Sequence, residues 1–151
     1  MSVLVIDPTI ALKWVITEPG TEAALSLRRQ AKLIAPELLL ADCAAVLCKK
    51  VATGELMKDE ALLAGRLLQG SGVEFVPTRV LLETAMLIAL DLDQSAHDCF
   101  YVALAAARSC HLVTADAQLV CKVAEAAHGA WSDRVIPLQE AMRRAWTGAV
   151  D

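Results

Sequence analysis

Val3-Leu4-Val5-Ile6-Asp7 and Leu112-Val113-Thr114-Ala115-Asp116 are two short apolar runs that stop in the same way, on an aspartate. Each is uncharged until its end, the signature of a strand buried on both faces. Such strands belong to parallel sheets covered by helices. In open sheets of that kind, ligands bind beyond the carboxyl ends of the strands. Asp7 and Asp116 therefore stand where chemistry is usually done.

Outward from the first run, residues 2–6 read as a strand, and an apolar-periodic stretch follows Pro8 to about residue 16. Glu18-Pro19-Gly20 is a turn, 21–31 an amphipathic helix, and Leu33-Ile34-Ala35 a short strand. Pro36 suits the first turn of a helix, so a helix is expected over 36–53, stopped by Gly54. Another helix over 58–68 ends at Gln69-Gly70-Ser71-Gly72. Residues 73–76 form a strand, and Pro77-Thr78 opens a helix to about residue 91. The expected remainder is helix 95–109, strand 111–114, helix 117–127, strand 134–136 and helix 138–146. Strands alternate with helices throughout, which favours an α/β fold with a parallel sheet covered on both faces. No linker, repeat or low-complexity segment divides the chain, so residues 1–151 are expected to form one domain.

The 151 residues suffice to bury a core without disulfide or metal staples. Apolar residues are 56% of the chain and aromatics only 4%, so the core is built from Leu, Val, Ile and Ala. No apolar run approaches the roughly 18 residues of a membrane span; the richest stretches, 38–48 and 80–90, are broken by Asp42 and Glu83. The apolar N-terminal run ends too soon, at Asp7, to be a secretory signal, so a cytoplasmic protein is expected. The five cysteines include no C-x-x-C pair and read as buried free thiols in a reducing compartment. A net charge of −4 argues against a bulk electrostatic nucleic-acid binder. It leaves room for an enzyme acting on nucleic acid through metal, because clustered carboxylates lower the formal charge and bound cations offset it.

Asp7 precedes Pro8 and a helical stretch, so it also reads as a helix N-cap, and Asp116 does likewise. Ser95-Ala96-His97-Asp98 has the shape of a capping box, with Asp shorter than the preferred Glu or Gln. Asp42 differs from these three. It lies more than one turn inside its expected helix, with Leu38, Leu39, Ala45 and Val46 at helical spacing. A carboxylate on an apolar face is costly unless paired or metal-bound; a salt bridge to Lys or Arg is the structural alternative. Carboxylates brought together repel and hold protons unless cations neutralise them. Hard oxygen donors suit Mg²⁺ or Mn²⁺, and such clusters commonly serve phosphoryl chemistry.

These segments together resemble a known family. Val5-Ile6-Asp7-Pro8-Thr9-Ile10-Ala11-Leu12-Lys13-Trp14 is similar to the opening of PIN-domain ribonucleases, particularly the VapC-like toxins of bacterial toxin–antitoxin pairs. Ala35-Pro36-Glu37-Leu38-Leu39-Leu40-Ala41-Asp42 resembles their second acidic segment, the run from Ser95 through Asp98 to Tyr101 and beyond their third, and Leu112–Asp116 their fourth. The order and spacing agree over residues 2–125. The resemblance implies a three-layer α/β/α sandwich with a central parallel sheet, and an acidic pocket that binds Mg²⁺ or Mn²⁺ and cleaves single-stranded or structured RNA. By position, Asp7 and Asp98 would be the main metal ligands. Asp42 would help bind metal or activate water, and Asp116 would complete the cluster. Thr114 would orient the acids and Ser95 would cap the helix that carries Asp98. A homodimer held inactive by a small antitoxin protein is implied as well.

Three positions depart from the family pattern. Asp42 stands where Glu is usual, Ala45 where Asn is frequent, and Pro8 follows the first acid in place of Ala. The competing expectation is therefore a catalytically weakened module that binds RNA or a protein partner. Lys13 and Lys49-Lys50 read as solvated helix faces or phosphate contacts, Trp14 as core or dimer interface, and His97 as a general base or a bystander. A response-regulator receiver also gathers acids around Mg²⁺. It would need an acidic pair after the first strand and a Lys ending a later one, and neither is present.

Overall fold

Five parallel strands, β1 (Val3–Ile6), β2 (Lys32–Pro36), β3 (Glu74–Val76), β4 (His111–Thr114) and β5 (Val135–Pro137), pair in the order β3-β2-β1-β4-β5. The computed structural model describes residues 2–126 and 131–144. Between the strands lie helices α1 (Pro8–Val15), α2 (Thr21–Gln30), α3 (Leu38–Ala52), α4 (Lys58–Gln69), α5 (Leu82–Leu92), α6 (Ala96–Ala107) and α7 (Ala117–Glu125). Helix α8 (Leu138–Arg143) follows β5.

The strand order sets the layers. From β1 the chain steps to β2 and then β3, whereas β4 and β5 are added on the other side of β1. Right-handed crossovers made in opposite directions place their helices on opposite faces. Helices α1 to α4 accordingly pack against one another on one side, and α8 joins them against α2. On the other side α6 lies across β1, β2 and β4 with α5 against it, and Lys122 of α7 reaches the Asp93 carbonyl between α5 and α6. The expected α/β/α sandwich is what forms. Leu4, Val5 and Ile6 of the central strand are wholly buried, as are Cys99 and the run Val102–Ala103 of α6.

Reversal of strand order creates a switch point between β1 and β4. Strand β1 feeds α1 on one face and β4 feeds α7 on the other, so the crevice between their carboxyl ends is left uncovered. Ile6 pairs with Val113, which makes Asp7 and Thr114 the next residues to meet.

Several boundaries differ from the sequence reading. Pro36 ends β2 instead of opening a helix, and the Glu37 N–H continues the ladder to the Val76 carbonyl at 2.9 Å. Helix α3 therefore begins at Leu38, whose N–H is accepted by the Thr78 hydroxyl at 3.1 Å. Thr78 itself lies in a 3-10 turn, Thr78–Leu81, which precedes α5 in place of a continuous helix. The expected helix ends at Ala127 and Trp146 lie outside the described residues. All five cysteines are free, but Cys48 and Cys121 are exposed. Burial pushes the thiols of Cys43 and Cys99 up to about 12 and about 11, so both stay protonated.

Gly20 opens α2 with φ +91°, and a Cβ there would approach Lys13 Cε at 3.3 Å. The left-handed conformation costs a side-chain-bearing residue about 1–2 kcal/mol. Gly20→Ala should lower unfolding stability by about that amount in urea titration, and an unchanged midpoint would show that the turn relaxes without cost.

Candidate active site

Asp7 is held at the switch point by four groups. Its Oδ1 accepts from the backbone N–H of Thr9 at 3.0 Å and of Ile10 at 3.4 Å, capping α1, and from the Thr9 hydroxyl. Its Oδ2 accepts from the Thr114 hydroxyl across the β1–β4 seam. The Thr9 hydroxyl also accepts the Ala115 N–H at 2.8 Å, and Thr114 Oγ1 accepts the Asp116 N–H at 3.0 Å. Two hydroxyls thus knit the ends of β1 and β4 around one carboxylate. Asp7 is only 5% exposed, and Thr114 is fully buried. Burial raises the Asp7 pKa to about 6, although the hydrogen bonds from Thr114, Thr9 and Ile10 pull it down.

Asp116 stands at the mouth of the same crevice, half-buried, and caps α7 through the N–H groups of Gln118 at 3.0 Å and Leu119 at 3.2 Å. Capping is thus a real role for Asp7 and Asp116. For Asp98 it is not. Ser95 holds the N-cap position of α6 without a side-chain capping bond, and Asp98 accepts from Gln94 Nε2 at 2.8 Å.

Asp42 lies beside the buried stripe of Leu39, Cys43 and Leu47 rather than within it; Ala45 is exposed. Its partners are neither Lys nor Arg. His97 Nδ1 meets Oδ1 at 3.0 Å, and the Tyr101 hydroxyl donates to Oδ2 at 2.7 Å. Burial and the adjoining Asp42 carboxylate hold the Tyr101 phenol far above its ordinary pKa, so it remains a donor. The charges of Asp7 and Asp42 both act on Tyr101 and on Cys43, which puts these two acids in one neighbourhood.

The other polar candidates are engaged elsewhere. Lys13 is neither solvated nor directed at a ligand: Nζ bonds Glu18 Oε1 at 3.0 Å and the Pro19 carbonyl at 2.9 Å. Lys50 pairs with Glu55 at 3.0 Å. Trp14 donates to the Ala24 carbonyl and carries Arg28 over its ring, so it locks α1 to α2.

The PIN domain family matches residues 4–126, a span that holds all four acids and both threonines. The chain belongs to the PIN domain family. Its fold is similar to that in the crystal structure of PAE2754 from Pyrobaculum aerophilum, with a TM-score of 0.70 at 16% identity over 95% of this chain and 89% of that one. No curated protein matches the sequence.

PIN domains are generally nucleases that use divalent metals. The Asp7 and Asp42 carboxylates, which act on the same neighbours, fit such an ion in kind, because their oxygens are hard donors. They do not form a closed cage. Among the described residues no three His, Cys, Asp or Glu side chains stand together so as to hold one ion. Mg²⁺ tolerates this, because it keeps several waters and is often held by one or two carboxylates.

Sequence reading missed Tyr101 and undervalued Thr9. The one tyrosine of the chain lies in the apolar run Cys99–Ala107 of its helix, and a buried phenol needs a partner. That was the available signal.

The raised pKa of Asp7 has a consequence for stability. Between pH 3.8 and about 6 the folded protein keeps a proton that the unfolded chain has lost. The contribution of Asp7 to stability is therefore highest below this window, falls as pH rises through it by up to about 3 kcal/mol, and is level above it. Asp7→Asn should be more stable than the parent near pH ~7.5, and the difference should close near pH ~4. Urea titrations at both pH values check this; a difference that ignores pH would remove burial as the cause.

Proposed function

We propose that this PIN domain is a metal-dependent endoribonuclease, the toxin of a toxin–antitoxin pair. The observation that carries the reading is Asp7: a carboxylate buried at the switch point of the sheet, at a cost, and aimed by two hydroxyls. In this reading Asp7 and Asp98 hold Mg²⁺ or Mn²⁺, Asp42 supports the metal or the attacking water, and Asp116 completes the acidic rim. Thr114 and Thr9 fix the Asp7 carboxylate, and Ser95 begins the helix that carries Asp98. The bound cation supplies a lowered pKa for water and neutralises charge at the phosphate. In the hydrolysis, a water oxygen bonds to phosphorus, the bond to the leaving sugar oxygen breaks, and that oxygen takes up a proton.

Partners fit the same reading. Helix α4 exposes Leu62, Leu63 and Leu67, and the α5 side exposes Val80, Leu82, Met86, Leu87 and Leu90. Two separate apolar rows on a small domain suit a second copy of the chain and an antitoxin segment. No helix among the described residues is long and apolar enough to cross a membrane. Cytoplasmic action fits five free thiols.

A second reading, an RNA- or protein-binding module with weakened catalysis, is favoured by one observation. Both oxygens of Asp42 are already bonded to protein donors. Cleavage of a mixed RNA pool with Mg²⁺ or Mn²⁺ separates the two. The nuclease reading expects cleavage that chelator abolishes and that falls by at least about a hundredfold in Asp7→Asn. Equal degradation by parent and Asp7→Asn, with or without metal, overturns the assigned site. RNA binding without cleavage supports the second reading.

A further inference from the structure

Asp42 arrives at the acidic rim in an unusual way. It sits on α3, yet both its oxygens are held by α6, through residues four apart and therefore on one face of that helix. The two arms are unlike. Tyr101 is 1% exposed, its ring packed in the core and its hydroxyl directed at Oδ2. The His97 side chain is 67% exposed, and its ring meets Oδ1 from the solvent side. Asp98, adjacent to His97 and three residues before Tyr101, rides on the same helix.

We infer that Tyr101 is the positioning residue of Asp42, a fixed arm that presents its carboxylate to the metal, whereas His97 is a removable arm that occupies Oδ1 until a cation or substrate takes its place. The inference rests on the nuclease reading of the rim. Three physical points carry it. A buried tyrosine hydroxyl has no solvent alternative, so its bond to Oδ2 persists once made. An exposed imidazole can return to water at little cost, so its bond is the one that yields. Each carboxylate oxygen keeps a second lone pair after accepting one hydrogen bond, and the exposed His97 ring stands over Oδ1 on the solvent side, where an arriving cation would displace it. Asp42 is also short. Tyr101 fixes both its rotamer and its distance from α6, which a half-buried carboxylate at the edge of α3 would otherwise lack. The clamp further links Asp42 to Asp98, since one helix positions both.

Manganese binding to the full chain, measured by calorimetry without RNA, tests this apart from turnover. Tyr101→Phe removes one oxygen and should weaken Mn²⁺ binding by about tenfold, the range found when a partner of a metal ligand is removed. In an Asp42→Asn background the same substitution should have no further effect. His97→Ala, an exposed change that cannot unfold the core, should leave Mn²⁺ affinity unchanged or increase it. In RNA cleavage, Tyr101→Phe should lower kcat with little change in KM. Unaltered Mn²⁺ affinity in Tyr101→Phe, or an equal loss in the Asp42→Asn background, overturns the positioning role. A loss in His97→Ala as large as in Tyr101→Phe overturns the removable arm. A parent protein that binds no Mn²⁺ overturns the nuclease reading itself, and the inference with it.

Discussion

The hydrogen bond from Thr114 to Asp7 is the contact on which the rim depends. Register brings the two residues together: with Ile6 opposite Val113, the next step of the β1–β4 ladder sets Asp7 against Thr114. At that step the chain leaves the sheet on opposite faces, into α1 from one strand and into α7 from the other. The amino end of α1 therefore borders this carboxylate, and the Thr9 and Ile10 N–H groups favour its negative charge. Burial opposes this and prevails, as the raised Asp7 pKa records.

Helix α6 carries Asp98 and the two side chains that hold Asp42, and does so from inside the protein. Between α5 and the sheet it is covered nearly all round, with Cys99, Tyr101 and the alanines behind them buried. A helix held on so many sides has little freedom to slide or rotate. Its first turn, where Asp98 and His97 emerge, is fixed with it. Packing at the far end of the helix, at Ala103 and Ala105, thereby controls where Asp98 stands.

The features legible in the sequence were local ones. An apolar run stopped by an acid shows both the strand and the end of the strand that matters, and β1 and β4 obeyed that rule almost to the residue. Pro36 misled because proline lacks an N–H both in the first turn of a helix and at the last position of a strand, and local sequence does not separate the two. Only the β3 partner does, since Val76 accepts from Glu37 instead. The partners of Asp42 were hidden for a related reason. His97 and Tyr101 lie 55 and 59 residues away and meet it through the crossover between β3 and β4. The local pattern showed that Asp42 needed a partner, not which side chains would supply one.

Asp7 and Asp116 provide an internal comparison that separates capping from function. Both end a central strand, both cap the following helix, and each accepts two backbone N–H groups at similar distances. Capping works well at a half-exposed position such as that of Asp116, where solvent carries the charge. If capping were all that the first strand required, Asp7 could sit equally near water, or be replaced by Ser or Asn, which cap as well without charge. Instead it is buried, and its second oxygen is turned toward Thr114, away from the helix it caps. That orientation adds nothing to the cap. It fixes the carboxylate in one rotamer at the bottom of the crevice, which is useful to a ligand arriving there. The part of Asp7 that capping leaves unexplained, its burial and its second hydroxyl partner, is the part that the proposed site would use.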